Sequence, residues 1–161
     1  MSMQNFMEMV LLIKPNILIS TGFILIVVIG ILGVYFSWSK LPYAPFSNFF
    51  GGLAFISGWL LHLYCHKFHH HAHQQSNEIK IVVASGPFAK IRHPMYLSII
   101  LMDLGLVIAW GIMWMFVPFF LFSGLIMLIM IQEEKFLLQN LGDQYLDYRR
   151  QVPWRLMPGI F

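Results

Sequence analysis

Long apolar runs without charge constrain this chain more than any other feature. Residues 17–36 (ILISTGFILIVVIGILGVYF) carry no charged side chain, and a helix needs about 20 such residues to cross roughly 30 Å of hydrocarbon. Hydrophobic residues make up 58% of the sequence and charged residues 11%, which departs from ordinary soluble composition. The sequence therefore predicts an integral membrane protein.

Three further apolar segments are long enough to join this first span, at residues 47–64, 95–110 and 113–131. Only Gly111 and Ile112 separate the last two, so we expect them to form a C-terminal helical hairpin. The fold class that follows is all-α: a bundle of about four transmembrane helices in a single domain over residues 1–161.

Two polar segments, residues 65–94 and 132–161, flank this hairpin. Each holds four of the ten basic residues, whereas the turn after the first span has Lys40 alone. The excess of Lys and Arg predicts that both segments, both termini and any site between them are cytoplasmic. The net charge of +3 comes from grouped cations, which favours a bilayer surface and argues against a nucleic-acid partner.

The N-terminus lacks a basic start followed by a short apolar run and a cleavage site, so we expect no removable signal peptide. Residues 3–15 (MQNFMEMVLLIKP) are apolar but too short to span. We interpret them as an interfacial helix that Pro15 ends.

The stretch Arg92-His93-Pro94 opens the third span. Proline suits the first helical position, which places His93 at the cap and Arg92 just outside it. A helix N-terminus with two such side chains can hold an anion. The alternative is that Arg92 only anchors the helix at the headgroups.

Glu133 and Glu134 follow the last span. Adjacent helical residues point about 100° apart, so one carboxylate can face a ligand cation while the other pairs with Arg92, Arg149 or Arg150. Two acids near a helix C-terminus oppose the macrodipole, which makes them a poor choice for stability alone. Ordinary surface acids at a span end remain the alternative.

The tail LGDQYLDYRRQVP predicts a break at Gly142, an N-cap at Asp143 and a short helix to about Gln151. Tyr145, Tyr148 and Arg149 share one face of it at i, i+3 and i+4. They can close over a flat ligand on the substrate side, although an amphipathic interfacial helix has the same pattern.

Asp103 lies in the middle of the third span, where an acid is costly and therefore a candidate for function on the substrate side. A polar contact inside the bundle is its simpler explanation. The run HLYCHKFHHHAHQQ has imidazoles at helical spacing, but Cys65 is the only other soft ligand nearby. Solvated histidines at the headgroups explain it more simply, so we assign no metal ligand.

Anion holders, an acidic pair and aromatic side chains between apolar helices suit a ligand with both charge signs and an aromatic ring. S-adenosyl-L-methionine has a carboxylate, an ammonium, a sulfonium and an adenine. Its methyl transfer depends mainly on positioning and on excluding water.

The motifs SGPFAKIRHPMYL and EEKFLLQNLGDQYLDYRRQVP, with a hairpin between them, resemble the isoprenylcysteine carboxyl methyltransferase and phospholipid methyltransferase family over residues 81–153. The resemblance implies a multispan membrane methyltransferase that acts on S-adenosyl-L-methionine. By position it makes Arg92 and the acidic pair catalytic. The cofactor-binding residues it implies are Val82, Val83, Gly86, Phe88, His93, Tyr96, Glu133 and Glu134.

One departure from that family concerns the acceptor. Members that modify prenylcysteine carry an arginine about one turn before the acidic pair, where this chain has Ile129, Met130 and Ile131. We therefore expect a lipophilic or lipid-borne acceptor without specifying prenylcysteine. A non-enzymatic histidine-rich metal-binding or transport protein is the alternative, and a lipid reductase that depends on a nicotinamide is a third hypothesis.

Overall fold

The computed structural model describes residues 15–68 and 82–159. Within these ranges the regular structure is helical, with one isolated bridge between Lys40 and Ile112, so the all-α prediction is confirmed there. The interfacial helix expected over residues 3–15 lies almost wholly outside the described residues, as do His69, His70, His71 and His73. The described residues form five α-helices: α1 (Pro15–Tyr35), α2 (Ala44–Phe68), α3 (Pro94–Trp110), α4 (Phe116–Leu141) and α5 (Asp143–Gln151). Two 3-10 turns, Gly86–Ala89 and Met113–Met115, precede α3 and α4.

The ends of α3 follow its sequence closely. Pro94 is its first residue and His93 its N-cap, as predicted from the proline. Gly111 ends it in the left-handed region at φ 72°, a conformation that costs glycine little because it has no Cβ. The helix thus begins at a proline that suits its first position and ends at a glycine in the left-handed conformation.

Every predicted span differs from its helix at one boundary or both, and three differences bear on the site. Helix α2 continues to Phe68, so residues 65–68 belong to it and not to the polar segment. Helix α4 runs without interruption through the acidic pair to Leu141, which makes Glu133 and Glu134 interior helical residues. The N-cap of α5 is Gly142, and Asp143 is its first helical residue.

Small residues hold α2 against α3, and this is the most extensive helix contact in the described chain. A Cβ at Gly51 would overlap the Ala109 backbone, and one at Gly105 would overlap Phe55. At Gly58 it would lie 2.7 Å from the carbonyl oxygen of Ser98. Such close approach is typical of helix packing in lipid. Helix α3 therefore packs more closely on α2 than on α4, its partner in the predicted hairpin.

The two ends of the bundle differ in chemistry. At one end the turn after α1 meets the turn after α3, where Leu41 N donates to Gly111 O and Met113 N donates to Ser39 O. At the other end the start of α3, the second half of α4, α5 and the C-terminal segment come together. The two polar segments thus meet at one end, and the site is built there.

Among the described residues, two helices are long and apolar enough to cross a membrane, Pro45–Phe68 and Met113–Leu141. The shorter apolar helices are Ser20–Tyr35 and Pro94–Trp110. Many large apolar side chains face outward, among them Ile31, Phe49, Trp59 and Phe120. Exposed apolar surface of this extent marks an interaction with lipid or protein, and together with the two long helices it supports membrane association.

Candidate functional site

Glu134 is the centre of a buried ion-pair cluster, which we call the Glu134 cluster: Glu134, Arg92, His93 and Arg155. Arg92 Nε donates to Glu134 Oε1 at 2.7 Å, and His93 Nε2 lies 3.1 Å from the same oxygen. Arg155 Nε donates to Oε2 at 3.0 Å. Only 4% of the Glu134 side chain is exposed. Both carboxylate oxygens are therefore engaged by side chains of the protein itself.

Arg92 also ties the C-terminal segment to the start of α3. One of its terminal nitrogens, Nη1, donates to the carbonyl oxygens of Val152 at 2.8 Å and Pro153 at 2.6 Å. Backbone hydrogen bonds join the same two segments: Arg92 N donates to Trp154 O and His93 N donates to Arg155 O, each at 2.9 Å. A buried guanidinium that donates to three acceptors holds three chain segments in one arrangement.

These contacts bear on the expected role of Arg92 as an anion holder. Its Nε and Nη1 are directed to Glu134 and to backbone carbonyls, and its side chain is 4% exposed. The primary contact of Arg92 is thus structural, and its role toward a cofactor carboxylate stays a prediction. The same holds for His93, which is buried against Glu134.

Glu133 has a different environment from its neighbour. The Tyr96 hydroxyl donates to Glu133 Oε2 at 2.8 Å, and the side chain is half-buried. None of the ion pairs between described residues includes Glu133. Its carboxylate is therefore oriented by a neutral donor, and no protein cation in the described chain neutralises it.

Two tyrosines of α5 line the same end of the bundle. Tyr145 and Tyr148 are buried with Leu137 and Val152, and the Tyr148 hydroxyl donates to Phe88 O at 2.8 Å. The Tyr145 hydroxyl is buried and has no hydrogen-bond partner among the described residues. A buried hydroxyl without a partner is unusual and calls for a physical explanation.

The electrostatic surroundings of these tyrosines show how near they lie to the acids. Burial raises the pKa of the Tyr145 hydroxyl well above its ordinary value. The negative charges of Glu134 and Glu133 raise this pKa further, and the positive charge of Arg92 lowers it. Burial likewise raises the pKa of Tyr148, against the lowering effect of Arg92. Both phenols therefore remain neutral hydrogen-bond donors over the physiological range.

The segment before α3 brings the remaining expected cofactor residues to this end. Val82 packs against the apolar cluster of α5, Val83 is half-buried and Phe88 is buried. Gly86 starts the 3-10 turn at φ 59°, and a Cβ there would lie 2.7 Å from the Phe68 ring. A side chain at position 86 would therefore be strained and would push the turn away from α2.

Two expected substrate-side residues lie apart from this cluster. Asp103 is 4% exposed in the middle of α3, and its Oδ1 has no partner among the described residues. Arg149 is half-buried, and no hydrogen bond or ion pair joins it to another residue of ranges 15–68 and 82–159. Arg150 pairs instead with Asp147 on the surface, at 3.0 Å.

Arg155 is the site residue that the sequence analysis missed. The predicted partners for Glu133 or Glu134 were Arg92, Arg149 and Arg150, and of these three it is Arg92 that contacts Glu134. The available signal was the segment VPWR, where Pro153 ends the helical pattern and returns the chain toward the bundle.

No family model and no solved structure matches the chain.

Proposed function

We propose that this protein is a membrane methyltransferase that takes the methyl group of S-adenosyl-L-methionine and passes it to a lipophilic or membrane-borne acceptor. The observation that carries the proposal is the half-buried Glu133 carboxylate. It is held by the Tyr96 hydroxyl. The buried Tyr145 hydroxyl, which has no partner in the described chain, lies near enough for the Glu133 charge to raise its pKa, after burial and Glu134. A carboxylate in such surroundings suits a ligand cation.

The residues present fit the cofactor. Glu133 would hold the ammonium or face the sulfonium, and the Tyr145 hydroxyl supplies a donor that awaits an acceptor. Phe88 and the two valines before it offer apolar surface for an adenine, and Gly86 permits the backbone turn beside them. When bound, the cofactor supplies a methyl group on a positively charged sulfur.

The chain's own residues then have separate tasks in this proposal. The Glu134 cluster fixes the start of α3, the second half of α4 and the C-terminal segment against one another. This fixed frame holds Tyr96 and Glu133 in place, so that orientation rather than acid–base chemistry supplies the rate. The apolar helices around the site limit access of water.

The membrane arrangement belongs to the same proposal. Helices α1 to α4 form four spans, with the site end and both termini on the cytoplasmic side. Support comes from the concentration of Lys and Arg in the two polar segments, which meet at that end. A lipid-borne acceptor can then reach the site laterally between helices whose outward side chains are apolar.

Two features bear on the chemical class of the acceptor. Residues 129–131 (IMI) place no cation before the acidic pair that could bind an acceptor carboxylate. Asp103 is an acid and lies seven residues after Tyr96, on the same face of α3. We therefore favour an acceptor other than a carboxylate.

The test uses full-length protein in detergent, supplied with methyl-labelled S-adenosyl-L-methionine and a lipid extract. We expect label in a lipid product and calorimetric binding of S-adenosylhomocysteine. Asp147→Asn, a surface change in the same region, serves as the matched control and should keep both. Absence of binding to wild-type protein would reject the proposal, and dependence on a nicotinamide instead would indicate a reductase.

A further inference from the structure

His62 and His66 lie one turn apart near the end of α2 and are joined to α3. Their Nε2 atoms are 3.1 Å from each other. His62 Nδ1 is 3.0 Å from Ser98 Oγ, and Ser98 Oγ donates to Met95 O at 2.6 Å. Both imidazoles are partly buried. The solvated surface loop expected for the histidine run therefore does not describe these two residues.

The hydrogen bonds to Ser98 indicate where the His62 ring carries its proton. Ser98 has one hydroxyl hydrogen and gives it to Met95 O, so its oxygen accepts from His62 Nδ1–H. With the proton on Nδ1, the neutral His62 ring presents a lone pair at Nε2, directed toward His66. An imidazole oriented by a hydrogen bond through its other nitrogen is the arrangement of metal-binding histidines.

The separation of the two nitrogens also suits a metal. Two ligands at about 2.0–2.1 Å from a tetrahedral zinc ion lie about 3.3 Å apart, close to the observed 3.1 Å. Two imidazoles at i and i+4 on one helix face meet this requirement with a small movement of the rings.

We propose that His62 and His66 form a binding site for a divalent transition metal of the zinc class, with Ser98 as the positioning residue. Without metal, His66 Nε2–H donates to His62 Nε2. On binding, the His66 proton is carried on Nδ1 instead, and Nε2 faces the metal. The described residues hold no group of three ligating side chains, so among them these two imidazoles are the proposed ligands. The site ties the end of α2 to the first turns of α3, and it stands independently of methyl transfer.

The first experiment titrates zinc chloride into full-length, EDTA-treated protein in detergent and follows the heat. We expect one site whose affinity falls at least tenfold in His62→Gln and in His66→Gln. Ser98→Ala keeps both ligands but loses the orienting bond, and should weaken zinc by about tenfold, the effect typical of such partners. Melting temperature and gel filtration verify folding of each variant.

The matched control changes His69, His70, His71 and His73 together to Gln and leaves the proposed site intact. It should keep the wild-type affinity. Loss of zinc binding in this control, or retention in both single variants, overturns the proposal. A second measurement does not depend on variants: copper(II) bound to wild-type protein should show two nitrogen ligands by electron paramagnetic resonance, and absence of nitrogen coupling rejects the site.

Discussion

Glu133 and Glu134 are neighbours on α4, yet they belong to different environments. Glu134 is 4% exposed and contacts two guanidinium groups and an imidazole. Glu133 is half-buried, and a tyrosine hydroxyl is its one hydrogen-bond partner among the described residues. The helix turns about 100° per residue, so one step along the chain separates them. The comparison indicates that Glu134 stabilises the structure, and in the proposed function it is Glu133 that binds the ligand.

The largest expected effect is on stability, from Glu134→Gln. This change leaves Arg92 buried without its counter-charge, and breaking a buried pair in this way costs about 3–5 kcal/mol. Denaturant unfolding in mixed micelles measures it. Asp147→Asn is the control: Asp147 and Arg150 have side chains 63% and 77% exposed, and exposed pairs contribute about 0–1 kcal/mol. Equal stability of the two variants would show that Glu134 is not the structural acid.

Arg92→Lys should have the next largest effect. An ammonium keeps the charge but cannot reproduce the planar contacts to Glu134 and to two carbonyl oxygens at once. We expect a loss of about 1.5–3 kcal/mol, the range for hydrogen bonds to charged groups, measured by the same unfolding assay. Full replacement by lysine would mean that Arg92 acts as a simple headgroup anchor.

The tyrosines of α5 give the smallest effects and form a matched pair. Tyr148→Phe removes the hydrogen bond to Phe88 O and should cost about 1 kcal/mol. Tyr145→Phe removes a hydroxyl without a described partner, so the ligand-free protein should be as stable as wild type or slightly more so. The Tyr145→Phe variant should instead bind S-adenosylhomocysteine more weakly than wild type. A stability loss for Tyr145→Phe equal to that for Tyr148→Phe would remove the hydroxyl from the ligand site.

Features of the fold and the site that depend on neighbouring residues in the sequence could be predicted, whereas features that depend on tertiary contacts could not. Pro94 and Gly111 set the ends of α3 through local backbone preferences, and both were predicted. The pairing of one acid with Arg92, Arg149 or Arg150 was also predicted, and the structure selects Arg92. Which of the two acids pairs with Arg92 was not predicted, because packing decides which side of α4 faces Arg92.

Three other features were not predicted from the sequence, because they depend on tertiary contacts. Arg155 reaches Glu134 only after the C-terminal segment has paired with residues 92–93. Helix α2 continues past Tyr64 to Phe68, where His62 contacts Ser98 on α3. Of the three glycines in α2, Gly51 and Gly58 face α3, while Gly52 has open space around it, a distinction that the sequence pattern does not make.

The division of roles between the two acids is tested most directly by Glu133→Gln, with S-adenosylhomocysteine affinity and unfolding free energy measured on the same preparation. We predict that affinity falls about ten- to a hundredfold, as for loss of a charge-assisted contact worth about 1.5–3 kcal/mol, while stability changes by less than about 1 kcal/mol. Unchanged affinity, or a stability loss as large as that of Glu134→Gln, would contradict the account.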